Sequence, residues 1–148
     1  MTIIPSLTAI QYIVGRLSAG LPDVEIGMYI SEPPPQEFVT INAVLEPVVS
    51  MGYKQPKEYR VLYTMVCYAE HPDNCLKLVE LVCRFGIDDQ YYNGREVVKT
   101  EGENLGIKYW IGKIQLARQP SIAVRPYTVQ GVSRLGAPIA FHTTITER

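Results

Sequence analysis

Tyr59-Arg60-Val61-Leu62-Tyr63-Thr64-Met65-Val66-Cys67-Tyr68 and, three residues later, Pro72-Asp73-Asn74-Cys75-Leu76-Lys77-Leu78-Val79-Glu80-Leu81-Val82-Cys83-Arg84-Phe85-Gly86 decide the fold class of this chain. The first run is rich in β-branched and aromatic residues. Val61, Tyr63, Met65 and Cys67 share one side and Leu62, Val66 and Tyr68 the other, so it reads as a strand near the middle of a sheet. The second run reads as a helix, with Pro72 suited to its first turn and Gly86 to its stop. Its polar residues Asp73, Lys77, Glu80 and Arg84 recur at steps of four, three and four, a single thin stripe. The apolar remainder covers more than half the circumference, so a sheet on one side leaves a further side to be covered.

Toward the N-terminus, Ser6 can cap a helix whose apolar positions are Leu7, Ile10, Val14, Leu17 and Leu21, with Gly20 at its stop. Val24, Ile26, Met28 and Ile30 then alternate with less apolar neighbours until Pro33-Pro34-Pro35 ends the strand. Val39, Ile41, Ala43 and Leu45 alternate again, and antiparallel pairing of these two strands is the simplest expectation. Glu46 to Lys57, with Pro47, Gly52 and Pro56, reads as an extended loop.

Toward the C-terminus, Asp88 to Gly106 reads as an exposed loop with a tight turn at Asn93-Gly94. Ile107, Tyr109 and Ile111 begin another strand, with Trp110, Ile114 and Leu116 on its opposite side. Arg118 to Pro138 is broken by Pro120, Pro126, Gly131, Gly136 and Pro138 and reads as a long loop or arm. Ile139, Phe141, Thr143 and Ile145 mark a last strand. The expected fold is therefore α+β: one domain over residues 1–148, a mixed or antiparallel sheet packed against two helices, with long loops. Leu7, Ile10, Leu17, Val61, Met65, Leu76, Val79, Ile111 and Phe141 are its expected core residues.

Composition narrows the function classes. At 148 residues, 47% hydrophobic and 20% charged, the chain is of ordinary single-domain character, and a net charge of −1 argues against general nucleic-acid binding. The opening residues lack a basic signal region and no apolar run approaches the ~20 residues of a membrane span, so a soluble protein made in the cytoplasm is expected. The odd set Cys67, Cys75 and Cys83 sits in apolar surroundings and suits reduced, structural thiols. Cys67-x3-His71-x3-Cys75 offers zinc-type donors but lacks a fourth partner and crosses a strand–helix junction. His71 and His142 are the only histidines, and neither completes a nucleophile's base with an oxyanion-hole motif. Asp88-Asp89 and Glu101-Gly102-Glu103 match no calcium-loop spacing and read as solvated loop charge, and no phosphate-binding or nucleophile-elbow motif occurs. The expectation is a protein without metal or cofactor that acts by contact.

Contact chemistry is what the residues offer: ten tyrosines, and arginines in loop contexts, resemble the enrichment of protein interfaces. The candidates are Tyr91, Tyr92, Arg95, Arg118, Arg125, Tyr127 and Arg134. The acids Asp88, Asp89, Glu101 and Glu103 and the bases Arg118, Arg125 and Arg134 could attract each other across a subunit boundary.

The order of elements, the opening Met1-Thr2-Ile3-Ile4-Pro5-Ser6-Leu7-Thr8 and the Gln55-Pro56 to Tyr68 segment, followed by His71-Pro72-Asp73, resemble the tail-terminator and neck-terminator proteins of tailed bacteriophages over most of Ile3 to Leu116. Arg118 to Pro138 departs from that compact pattern. The resemblance implies a virion protein of the tail or neck, forming a ring, usually a hexamer. Such a ring caps the tail tube and joins it to the head–neck connector proteins, with the tail sheath a further neighbour. The alternatives are a tube or baseplate adaptor and a small enzyme without a recognisable motif.

Overall fold

The computed structural model describes residues 6–48, 58–88, 94–98, 106–117 and 123–147. Their order is α1 (Ser6–Gly20), β1 (Glu25–Gly27), β2 (Phe38–Val48), β3 (Glu58–Ala69), α2 (Pro72–Gly86), β4 (Arg95–Val98), β5 (Lys108–Ile111), β6 (Gln115–Leu116), β7 (Arg125–Val129) and β8 (Val132–Glu147). The fold is α+β, with a mixed sheet of eight strands ordered β1-β2-β3-β8-β5-β4, and with β6 and β7 also paired to β8.

The decisive stretch takes the form read from it. β3 lies between β2 and β8, antiparallel to both, in a register from Glu58↔Thr146 to Ala69↔Leu135 on the β8 side. α2 follows at once: Pro72 occupies its first turn, the His71 carbonyl accepts the Cys75 N–H, and the Ile87 N–H closes the end on the Cys83 carbonyl. β8 is the spine of the sheet. On its other edge β7, β6 and β5 lie end to end against Val132–Gly136, Phe141–His142 and Ile145–Glu147, a single interrupted strand in effect.

Both helices pack on the odd-numbered side chains of β2, β3 and β8. Tyr59, Val61, Tyr63, Met65 and Cys67 of β3 are buried there with Val39, Ile41, Ile139, Phe141 and Ile145. α1 contributes Ala9, Ile13, Leu17 and Leu21, and α2 contributes Cys75, Leu78, Val79 and Val82. Tyr63 Oη donates to the Ala9 carbonyl at 2.7 Å, so this hydroxyl, which β3 aims into the layer, is satisfied by α1. Removing two methyl groups from this layer through Val79→Ala should cost about 1–3 kcal/mol by lost burial and a residual cavity. A urea midpoint unmoved by that change would contradict the placement of α2.

Several expectations need correction. Leu7 and Leu76 are not core residues, being 47% and 38% exposed. On α1 the buried set centres on Ile13 and Leu17, and at 100° per residue Leu7 lies about 120° around from Ile13. The uncovered side of α2 is closed largely from within the chain, by α1: Gly20 lies so near Phe85 that a Cβ there would meet the ring at 2.4 Å. β1 and β2 pair in parallel, not antiparallel, with Glu25↔Phe38 and Gly27↔Thr40. The reason is a local side-chain turn: Ser31 donates from both N and Oγ to the Glu25 carboxylate, at 2.9 and 2.6 Å. The chain is thereby turned back to the start of β1 before β2 begins.

Pro47 does not end β2, which runs on to Val48. β1 has already stopped at Gly27, so Pro47 sits on an edge, where a missing N–H breaks no ladder. Ile114 joins the core instead of lying opposite Ile111, because the strand breaks at Gly112–Ile114, with the Gly112 N–H on the Thr144 carbonyl and its carbonyl accepting from Thr143 Oγ1. In the segment read as a loop or arm, 118–122 lie outside the described residues, while β7 and β8 make a two-residue hairpin turning at Gln130 and Gly131. Both have positive φ, at 51° and 77°, the geometry that matches the strand twist.

Candidate interaction surface

The helices leave the even-numbered side chains of β2, β3 and β8 on the opposite face of the sheet. At one end that face is closed by aromatic rings. Phe38 stacks on Tyr68 at 4.6 Å between centroids, and Tyr127 meets Tyr68 edge-on at 5.4 Å. Gly136 makes room for this, since a Cβ there would approach the Tyr127 ring to 2.6 Å.

The rest of the face is open. Across the three strands run the rows Val44↔Leu62↔His142 and Glu46↔Arg60↔Thr144. Val44 and Leu62 are 58% and 39% exposed, and a groove of about 420 Å³ runs between them, His142 and Thr144. A neighbouring groove of about 410 Å³ lies between Tyr29, which is almost wholly exposed, and Thr40, Asn42, Thr64 and Val66. Exposed large apolar side chains in adjacent positions on a polar face mark a contact surface.

The outer edge of β2 is guarded. The Ala43 N–H is taken by the Oδ1 of its own neighbour Asn42 at 3.0 Å, so residue 43 points its backbone away from β3. Pro47 has the same parity, and the outward donor it would present does not exist. Between them only the Leu45 N–H faces out, which makes this a poor template for an added strand.

A second depression, about 970 Å³, separates α1 from β4, with Gln11, Tyr12, Arg84 and Arg95 on its walls. Arg16 and Asp88 lie at its base. Arg16 Nε donates to the Phe85 carbonyl at 2.9 Å and its Nη1 pairs with the Asp88 carboxylate, which also accepts the Ile114 N–H at 2.8 Å. Asp88 is therefore not solvated loop charge. It ties α1, the end of α2 and the start of β6 together, and it leaves the acidic set expected to face a neighbour.

The sequence candidates do not converge. Tyr91, Tyr92 and Arg118 lie outside the described residues, as do Asp89, Glu101 and Glu103. Arg95 is exposed at the rim of the second depression, and Arg125 is exposed at the start of β7. Their partners on β8, through Ile111 in the first case, are Ile145 and Gly136, nine residues or roughly 30 Å of strand apart. Tyr127 is half-buried against Tyr68. Arg134 is spent within the chain: its guanidinium donates to the carbonyls of Pro35, Pro34 and Ser133 at 3.2, 3.3 and 2.9 Å and lies 3.9 Å from Glu70. Gln130 Nε2 adds a bond to the Ile30 carbonyl, so the hairpin clasps the proline loop.

The thiols are structural in their setting. Cys75 Sγ donates to the Cys67 carbonyl at 3.0 Å, and no disulfide joins the three cysteines. Burial pushes all three thiols above their ordinary range, with the neighbouring cysteines adding to the effect at Cys67. Thiolate is the reactive form. Ellman's reagent should therefore modify none of them rapidly in the native state, Cys83 first among them, and all three after unfolding. Fast native modification of Cys67 or Cys75 would contradict their burial.

Among the described residues no three His, Cys, Asp or Glu side chains are grouped to hold a metal ion, and no helix is long and apolar enough to cross a membrane. No protein-family model matches the chain, and no curated protein sequence matches it.

Proposed function

We propose that this chain is a contact protein of a bacteriophage tail or neck, a subunit of a homomeric ring that terminates the tail tube and joins it to the head–neck connector. The open face of β2, β3 and β8, with Val44 and Leu62 uncovered beside Met28 and Tyr29, carries this reading. Exposed apolar side chains set among Thr, Asn, Glu and Arg suit a protein partner better than a small substrate. A ring subunit needs two different surfaces, because a head-to-tail contact joins unlike patches. Here the helical layer and the open sheet are unlike and lie on opposite sides of the domain. A net charge of −1 suits a ring around a DNA passage that must not clamp its cargo. The sequence resemblance over Ile3 to Leu116 supplies the biological setting.

The test has two parts. Light scattering of the purified protein should give a multiple of the 16.7 kDa chain. In an electron cryomicroscopy reconstruction of the assembled particle, the chain should form a closed ring at the head-proximal end of the tail tube. Density showing isolated copies without identical neighbours would refute the ring, and a position along the tube or at the baseplate would make the protein another kind of tail component.

A further inference from the structure

We infer that the open sheet face receives the outward face of α2 from a second copy of this chain, with Leu76 seated between Val44 and Leu62 and the pair Lys77 and Glu80 facing Glu46 and Arg60. The inference rests on the ring reading and names its contact.

The guarded edge comes first. Strand addition is the usual way for one sheet to join another, and Asn42 and Pro47 withhold the outward donors it would use along β2. Contact at this end of the sheet is left to the face, where a helix can lie across the strands and complete a third layer.

Charge and spacing then select the helix. Glu46 and Arg60 stand directly opposite each other across β2 and β3, which sets their Cβ atoms roughly 5 Å apart. Lys77 and Glu80 are exposed neighbours on α2, three residues apart and so separated by about 5–6 Å. Each pair is one acid and one base at the same spacing, so Lys77 can meet Glu46 while Glu80 meets Arg60. None of the four joins an ion pair among the described residues.

The apolar contact keeps the same register. Val44 and Leu62 form the next opposed row with outward side chains, about 7 Å along the strands. Leu76 precedes Glu80 by four residues, about 6 Å along the helix axis. It is also the large apolar residue of α2 that the fold leaves most exposed. The contact joins unlike surfaces, as ring closure requires.

Two charge swaps test it by light scattering at low salt and high protein concentration. Glu46→Lys with Arg60→Glu changes only the open face, and Lys77→Glu with Glu80→Lys changes only the helix. Each swap keeps the net charge and should weaken assembly about tenfold or more by setting like charges against each other. The protein carrying all four substitutions should recover assembly. Circular dichroism of each variant separates misfolding from lost contact, and variants with only Leu76→Ser or Leu62→Ser should weaken assembly without any charge change. If the unaltered protein assembles and all these variants assemble equally well, this contact is wrong while the ring reading stands. Loss without recovery in the fourfold variant also overturns the pairing. An unaltered protein that stays monomeric counts against both.

Discussion

Asp88→Ala should lower the unfolding free energy by about 3 kcal/mol, a large share of the stability of a domain of this size. The carboxylate side chain is 2% exposed and has two partners, the Arg16 guanidinium and the Ile114 N–H. Truncation removes the carboxylate from a buried N–H donor and from a largely buried cation. Arg16 retains a quarter of its exposure and keeps the Phe85 carbonyl, which holds the loss to the lower part of the range for breaking buried ion pairs. Asp88→Asn keeps an acceptor for Ile114 but not the charge, so it should cost about half as much. Replacing both partners together, Arg16→Met with Asp88→Leu, should cost less than Asp88→Ala alone, since no uncompensated charge remains. Urea denaturation of the three variants gives the ordering. A midpoint unchanged in Asp88→Ala would mean that this pair does not close in solution.

Gly86→Ala should destabilise by about 1–3 kcal/mol, against the ordinary helix preference. In an open helix the exchange gains up to about 1 kcal/mol, because alanine loses less backbone entropy. At Gly86 the added methyl would lie 2.5 Å from Phe141 Cε2 and 3.2 Å from Leu17 Cδ2, both on fully buried side chains. A buried ring cannot swing away without moving the sheet, so overpacking wins. Gly15, in the middle of α1 with nothing within 4 Å of its would-be Cβ, supplies the opposite case. Gly15→Ala should raise the thermal midpoint while Gly86→Ala lowers it. Two shifts of the same sign would show that the α2–β8 approach is looser than described.

Gly86 shows what the sequence can and cannot convey. Its place at the end of α2 was legible from the helical period, but its role was not, because the need for a missing side chain comes from Phe141 on another element. β3 and the second half of β8 were legible for the same local reason: their period of two survives in the buried residues Val61, Tyr63 and Met65 and Ile139, Phe141 and Ile145. The open face could have been found there as well. Glu58, Arg60, Leu62 and Thr64 alternate with that buried set, and two charges and a threonine in the same row as Leu62 argue against burial on both sides.

The hairpin of β7 and β8 was hidden by its own prolines and glycines, three of which have a local reason that only the fold supplies. Gly131 forms the turn and Gly136 lies under Tyr127. Pro138 has the parity of Ala140 and Thr144, whose carbonyls bond across to Ala117 and Gly112. Its missing N–H therefore points into the gap between β6 and β7. Charge was the least legible property. Asp88 and Arg134 look like surface residues in sequence, and their partners Arg16 and Pro34 are brought to them only by tertiary structure.

β8 also governs when the molecule can fold. It pairs with β3, β5, β6 and β7, so the sheet has no continuous middle until residues 132–147 have left the ribosome. Until then β3 holds a bare edge with Val61, Tyr63 and Met65 beside it, a segment prone to pair with other nascent chains. The link from Glu58 to Thr146 spans most of the chain, and closing such distant pairs places folding toward the slow end for a domain of mixed class. Translation therefore delivers the sheet's spine after the strands that need it; the two helices, complete by residue 86, can by then cover the apolar face beside that edge, while the edge itself waits for β8.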